Sequence, residues 1–262
     1  MEDYIKSKDN RKLPEFLYHY TNIDSLISIL RSRKIRFNSL LYMDDNEEST
    51  SHDLDHIGKY CYVSSWTDKA NESIELWGLY TKNMSGVRIK MKSLPFDHSV
   101  TSKLWYDGGR PFETYIPKEI YNSNNLYIYP TIDFLRKVNY TDDISLLEGT
   151  YAKHIHVNKN GRYNIDANFN KIGLYKRNCW AFQHEYRYSM FIIPHDNYGK
   201  VDLDVTNTST KLPFMYYDIP ISIEGIESIE ITTGPKMSDN DKFIIESIMQ
   251  TGIPRELRCT QP

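Results

Sequence analysis

Three cysteines in 262 residues, Cys61, Cys179 and Cys259, are too few and too widely separated for a disulfide framework, and none belongs to a C-x-x-C zinc half-site. They are expected to be reduced thiols. No run approaches the roughly 20 apolar residues that span a bilayer. Met1 to Lys12 is charged throughout and lacks the apolar stretch of a secretory signal. A cytoplasmic protein with no membrane partner is expected. Charge of one sign is missing as well. Against 32 Lys and Arg stand 35 Asp and Glu, for a formal net charge of −3 with no long block of either sign. That disfavours a dedicated polyanion binder. Ser64-Ser65 lacks the G-x-S-x-G elbow of hydrolases, which leaves nucleophilic serine chemistry without support.

What is there is an ordinary globular composition, 40% hydrophobic and 26% charged, which excludes disorder of the whole chain. The length allows one or two domains at roughly 150 residues each. Nothing repeats at a fixed period and no flexible linker divides the chain, so a single α+β domain over residues 1–262 is expected. The exceptional residue is tyrosine, 21 of them in a set that brings aromatics to 13%. An apolar body with a polar tip suits strands, and it also suits pockets that stack a flat ring.

Along the chain, Phe16 to Tyr20 has the composition of a strand. Thr21-Asn22 then caps a helix whose Ile23, Leu26, Ile27 and Leu30 recur at helical spacing. Ile35 to Phe37 reads as a short strand and Asp44 to Glu48 as a surface loop, too polar to be core. Tyr60 to Trp66 is expected to be a buried strand. Asn71 then caps a helix that carries Ile74, Trp77 and Tyr80 on one side. Val87 to Lys92 alternates apolar and basic residues, so one face of that strand is wet.

Residues 93–150, broken by Asp107-Gly108-Gly109, Pro111, Pro117 and Pro130, read as an irregular central insertion or lid. Tyr151 to Val157 is a possible strand. Further on, alternation puts Glu185, Arg187 and Ser189 on one side of a strand and Tyr186, Tyr188 and Met190 on the other. Ile226 to Thr233 is expected to be a strand and Gly234-Pro235 a turn. Ser238 and Asp241 open a helix through Gln250, with Phe243, Ile244 and Ile248 inward and Gly252 as terminator.

Two histidine pairs invite a metal reading and do not support it. His52-Asp53-Leu54-Asp55-His56 has Asp where H-E-x-x-H has Glu, and reads better as a solvated acidic helix. His154 and His156 share a strand face but lack a third ligand at a convincing spacing. No metal is expected.

Three pieces put a chemically competent residue at the edge of a well-defined element: Tyr18-His19-Tyr20-Thr21, Trp77-Gly78-Leu79-Tyr80 and Glu185-Tyr186-Arg187. The first of these, the Ser64-Ser65-Trp66 strand followed by W-x-x-Y and by Gly86-Val87, and the W-(x4)-E-x-R segment of Trp180, Glu185 and Arg187 together resemble the bacterial family known as domain of unknown function 2971. The resemblance runs from about Phe16 to the last helix. That family in turn resembles a distant branch of the ADP-ribosyltransferase fold, whose members carry a His-Tyr-Glu set. It implies a split β-sheet core with flanking helices and the 93–150 insertion.

The resemblance further implies an NAD-consuming enzyme, an ADP-ribosyltransferase or an NAD glycohydrolase, of the kind found among bacterial toxins and anti-phage defence effectors. NAD would be the substrate, and the acceptor a protein, a nucleic acid or water. A partner protein of a defence system would fit the same context. Glu185, Tyr80 and His19 would be catalytic, and His19, Tyr20, Thr21, Ser64, Ser65, Tyr80 and Arg187 would contact the dinucleotide. Gln183-His184 departs from the acidic residues usual before the family's Glu, and Asp45-Asn46 stands where Asp-Pro is usual.

Each residue has a plainer reading. His19 can be a satisfied strand histidine, Tyr80 can pack beside Trp77, and Glu185 can pair with Arg187 two positions on. Two other functions stay open: a non-catalytic nucleotide-sensing module, and a nucleic-acid-directed enzyme using the stripe of Arg88, Lys90 and Lys92.

Overall fold

The computed structural model describes residues 13–101, 112–122, 126–129, 134–157, 163–195 and 214–250. In chain order the elements are β1 (Phe16–Thr21), α1 (Ile23–Ser32), β2 (Lys34–Ser39), β3 (Cys61–Thr67), α2 (Ile74–Tyr80), β4 (Val87–Lys92), β5 (Ser99–Thr101) and β6 (Phe112–Thr114). They continue with α3 (Lys118–Asn122), β7 (Leu126–Tyr129), β8 (Leu135–Lys137), β9 (Asn139–Tyr140), α4 (Ile144–Leu147), β10 (Ala152–Val157), β11 (Tyr163–Ala167) and β12 (Tyr175–Lys176). The last are β13 (Glu185–Pro194), β14 (Tyr216–Pro220), α5 (Ile223–Glu227), β15 (Glu230–Thr233) and α6 (Asp239–Gln250). The architecture is mixed α+β with mostly antiparallel sheet. The chain divides into two compact units, one of residues 1–31, 66–95 and 222–262, the other of residues 32–65 and 96–221. β3 begins in the second and ends in the first.

In the first unit, β1, β4 and β15 pair antiparallel in that order, and Thr67 at the end of β3 lies opposite Tyr18. The alternation of β4 acts as its sequence suggests. Val87, Ile89 and Met91 are fully buried, with Leu17, His19 and Thr21 as cross-strand partners on the same face. The basic residues face the other way. Arg88 lies 4.8 Å from the Tyr18 ring and donates to the Ala70 carbonyl at 2.8 Å, while Lys90 pairs with Glu230 at 2.9 Å. The stripe that suggested nucleic acid is thus largely committed inside the unit.

Helix boundaries follow local capping chemistry. The Asn22 side chain accepts from Ser25 N–H at 2.7 Å to open α1, which buries Leu26 and Leu30. Ser73 rather than Asn71 caps α2, and the buried residues there are Leu76 and Trp77, with Ile74 73% exposed. Ser238 and Asp241 form the expected reciprocal cap of α6. Its buried residue is Ile245, and Phe243 is 70% exposed. The stretch expected as one strand from Ile226 is divided, because Ser222 caps the short helix α5 before β15 begins.

In the second unit, β14, β2 and β3 pair antiparallel and β13 joins β3. β13 is long enough to hold β8 along its first half and β7 along its second. Strands from within 93–150, expected as an irregular insertion, therefore complete this unit's sheet. Leu126, Ile128, Tyr129 and Leu135 are buried there. Phe191 of β13 stacks on Phe169 with ring centroids 4.6 Å apart, in a core with Leu40, Ile57, Val63 and Ile193. On the opposite face Tyr188 meets Phe96 edge-on at 5.1 Å. Both faces of β13 are covered, which explains its nearly continuous apolar run.

The segment expected as a polar surface loop ends in a 3-10 turn, Asn46–Ser49, that reaches the interior with Glu48 and Ser49 buried. A second such turn, Ile57–Tyr60, lies hard against it. A Cβ on Gly58 would fall 2.5 Å from Ser49 Cα and 2.7 Å from its carbonyl oxygen. Both are backbone atoms, which cannot swing aside. Gly58→Ala is expected to lower stability by about 1–3 kcal/mol through overpacking, read as a reduced midpoint in urea unfolding. An unchanged midpoint would mean that the two turns separate freely.

Candidate functional site

The head of β13 is shaped by the chain before it. β12 runs parallel to β9, with Asn139 N–H donating to Leu174 O at 2.8 Å and Thr141 N–H to Lys176 O at 2.9 Å. A 3-10 turn, Asn178–Gln183, follows and ends at His184, whose φ of 44° and ψ of 50° are left-handed. That reversal turns the chain back so that Gln183, Glu185 and Arg187 face Lys176. Tyr140 of β9 seats the strand's first residue, its hydroxyl accepting from Glu185 N–H at 2.8 Å.

Four charged side chains meet there, all buried: Glu48, Lys176, Glu185 and Arg187. Arg187 donates from Nε to Glu185 Oε1 and from Nη2 to Glu185 Oε2, the latter at 3.2 Å. Its Nη1 donates to Glu48 Oε2 and, at 3.0 Å, to the Gly173 carbonyl. Lys176 Nζ donates to Gln183 Oε1 at 3.0 Å and to Glu185 Oε2 at 3.1 Å, and lies 3.1 Å from Glu48 Oε1. Gly173 has a φ of +67°, and a Cβ there would fall 2.9 Å from the Leu40 side chain, so glycine lets its carbonyl approach Arg187.

Removing four ions from water costs several kcal/mol per ion, and only near-complete pairing offsets it. Lys176 donates to Gln183 and Glu185, and its charge lies within ion-pair distance of Glu48 Oε1, which accepts no hydrogen bond among the described residues. Burial alone pushes the Glu185 carboxyl upward, but Arg187 and Lys176 outweigh it, with the Ser65 hydroxyl adding a little in the same direction. The group is held well below the usual carboxylate range. Burial likewise disfavours the charged guanidinium of Arg187, yet Glu185 and Glu48 keep it firmly protonated. The result is a carboxylate that stays ionised although it is buried. Cys61 nearby is inert by contrast, its thiol pushed up to about 11 by burial, against the pull of Arg136 and Arg187.

Of the residues singled out from sequence, Ser65, Glu185 and Arg187 come together in the second unit, where Ser64 is also buried. His19, Tyr20, Thr21 and Tyr80 belong to the first. His19 is half-buried on β1, its ring 5.0 Å from that of Trp66 and tilted by 36°. Tyr20 points to the opposite face, where its ring meets Trp77 edge-on at 4.8 Å and its hydroxyl accepts from Ser73 N–H at 3.1 Å. That contact fastens α2 to β1 and thereby fixes the origin of Tyr80, the half-buried last residue of α2. Thr21 is buried, and its carbonyl is so near Gly86 that a Cβ there would fall 2.3 Å away.

Glu48 and Lys176 were not found from sequence. The signal available was a match of dipeptides. Glu47-Glu48 meets Lys176-Arg177, with Glu48 against Lys176 in the interior and Glu47 in a two-pronged pair with Arg177 outside, at 2.5 and 3.0 Å. His52 and His56 are not grouped with a third ligand among the described residues. Asp53 accepts from Tyr151 and Ala152 N–H at 2.9 and 2.6 Å in a turn rather than a helix. The side chains of His154 and His156 lie outside those described, as do Cys259 and Gly252. Among the described residues no three His, Cys, Asp or Glu side chains are grouped to hold a metal ion, and no helix is long and apolar enough to cross a membrane.

No protein-family model, no curated protein and no solved structure matches this chain.

Proposed function

We propose that the protein consumes NAD, passing ADP-ribose to an acceptor group or to water, on an ADP-ribosyltransferase-like split sheet. The observation that carries this reading is the buried carboxylate at the head of β13, immobilised by Arg187 and Lys176 and kept ionised by them. In the reaction the bond from the ribose to the pyridinium nitrogen breaks, and its electron pair leaves with nicotinamide, which departs neutral. Positive charge moves onto the ribose until water or an acceptor nucleophile bonds to it and gives up a proton. A preorganised carboxylate lowers the energy of that cationic sugar. Glu185 supplies the carboxylate and accepts from the ribose 2′-hydroxyl. Ser64, Ser65 and Arg187 brace it within the second unit, and the roles of His19 in positioning the dinucleotide, of Tyr80 in stacking on the leaving ring and of Tyr20 and Thr21 in contacting it rest on the resemblance alone. The order of the three pieces along the chain supports the reading, as does the mixed, mostly antiparallel architecture.

A second reading, a nucleotide-sensing module without turnover, is favoured by one specific observation. Glu185 is 3% exposed and both of its oxygens are engaged, which hinders a sugar hydroxyl from reaching it. One experiment separates the two. Purified protein is incubated with NAD, nicotinamide is followed by chromatography, and binding is followed by calorimetry, with His19→Ala in parallel. The enzyme reading expects nicotinamide release and a KM raised about tenfold or more in the variant through lost positioning. Saturable binding with no nicotinamide after overnight incubation favours the sensor. No binding and no release removes both.

A further inference from the structure

Glu48 lies outside the set drawn from sequence, yet its side chain is only 2% exposed. The geometry points to Glu48 as a positioning residue for Glu185, acting through Arg187 and Lys176 and keeping the buried cluster electrically neutral. This role rests on the NAD-consuming reading of Glu185.

Each cation of the cluster touches both carboxylates. Arg187 reaches Glu185 through Nε and Nη2 and Glu48 through Nη1, and Lys176 Nζ lies 3.1 Å from an oxygen of each acid. Two effects follow. The first is orientation. Arg187 presents its fork edge-on to Glu185 while its remaining nitrogen is held between Glu48 and the Gly173 carbonyl. Without Glu48, one side of that guanidinium loses its counter-ion and the plane of the fork is no longer held.

The second effect is charge. Two acids against two bases cancel, so Glu185 works from a neutral cluster. Removing Glu48 leaves a net positive charge in a poorly screened interior. Positive charge moving onto a ribose beside Glu185 would then meet repulsion from the cluster as a whole. Bound NAD has not yet moved that charge, so the penalty falls on the transition state.

The groups facing Glu185 are Arg187 on its own strand, Lys176 of β12, Glu48 of the 46–49 turn, Tyr140 of β9 and Ser65 of β3. Burial keeps the Tyr140 hydroxyl protonated, so it adds no charge.

The test uses the full chain as wild type, Glu48→Gln, Lys176→Met and the double variant. Glu48→Gln is expected to lower kcat for nicotinamide release about 100-fold, with KM changed by less than about threefold. Adding Lys176→Met restores neutrality and is expected to bring kcat back to within about tenfold of wild type. A purely structural role predicts the reverse, a double variant at least as damaged as the worse single one.

A readout independent of turnover is the carbon-13 titration of the Glu185 carboxyl, assigned by its absence in Glu185→Gln. Lys176→Met is expected to move its midpoint up by about one pH unit or more, and the double variant to move it back. A flat titration together with additive losses overturns the proposal. If wild-type protein releases no nicotinamide, the NAD reading falls, and the titration still decides whether Glu48 acts on Glu185. Should Glu48→Gln fail to fold, Glu48→Asp keeps the charge and withdraws it by one methylene. It is expected to lose kcat at constant KM, and wild-type kcat in it would overturn the proposal.

Discussion

Glu185→Gln is expected to slow nicotinamide release by about 100- to 1,000-fold, the range for removing one preorganised charge from an active site. Glutamine keeps the shape of the side chain. It also turns an NH2 group toward the N–H donors of Arg187 or Lys176, which at present share the carboxylate. Two donors then face each other, and the cluster is left with an uncompensated positive charge. The stability cost is expected to be about 3 kcal/mol, as for a buried ion pair that loses one partner.

The pH dependence separates this cost from mere packing. In the folded protein the Glu185 carboxyl is lowered from 4.5 to about 2, burial opposing the shift and Arg187 with Lys176 driving it. A carboxyl that holds its proton more weakly when folded contributes stability that is complete above the unfolded value. That contribution is lost as pH falls from 4.5 toward 2. The gap in thermal midpoint between wild type and Glu185→Gln should therefore be widest near neutrality and close as pH is lowered through that window. A gap independent of pH would show that Glu185 is not the ionised partner of Arg187. A variant that folds and releases nicotinamide at the wild-type rate would end the catalytic role.

Arg187→Leu is expected to have the largest effect on folding, a loss of about 3–5 kcal/mol, because it leaves two buried carboxylates facing one lysine. Arg187→Lys should recover little of it. An ammonium is a point charge that cannot grip both oxygens of Glu185 while also reaching Glu48 and the Gly173 carbonyl. The neighbouring pair makes a control within the same protein. Arg177 and Glu47 are also two-pronged but 42% and 52% exposed, and Arg177→Ala should cost less than about 1 kcal/mol. Urea unfolding followed by circular dichroism measures all three. Equal losses for Arg187→Leu and Arg177→Ala would show that burial does not set the cost of breaking the Arg187 pairs.

The elements that were legible beforehand are those whose cause is local. β4 declares itself by alternation, α1 by apolar spacing after Asn22, and α6 by the Ser238–Asp241 cap, because each depends on residues within a few positions. Where burial decides, the structure departs from the local pattern. α6 points Ile245 inward and leaves Phe243 in solvent, since its face is chosen by what it packs on and three adjacent apolar residues cannot reveal that choice. The irregular stretch within 93–150 yields β7 and β8, because β13 is long enough to pair with each of them along a different part of its length. Ile226 enters a helix because Ser222 satisfies the backbone of its first turn.

The candidate site divides in the same way. Glu185 and Arg187 could be placed on one strand face two residues apart, and their pairing was foreseeable from that spacing alone. Glu48 could not, since an acidic dipeptide in a polar run carries no mark that distinguishes the residue in solvent from the one in the core. The sequence by itself determined a chain able to bury a core, the main strands and helix caps, and the strand that begins with a carboxylate. Only the tertiary structure decided that this carboxylate is buried, ionised and shared among Arg187, Lys176 and, through them, Glu48. Secondary structure is set by neighbours along the chain, whereas the energy of a charge is set by whatever surrounds it in space, and those groups come here from five segments, β3, the 46–49 turn, β9, β12 and β13.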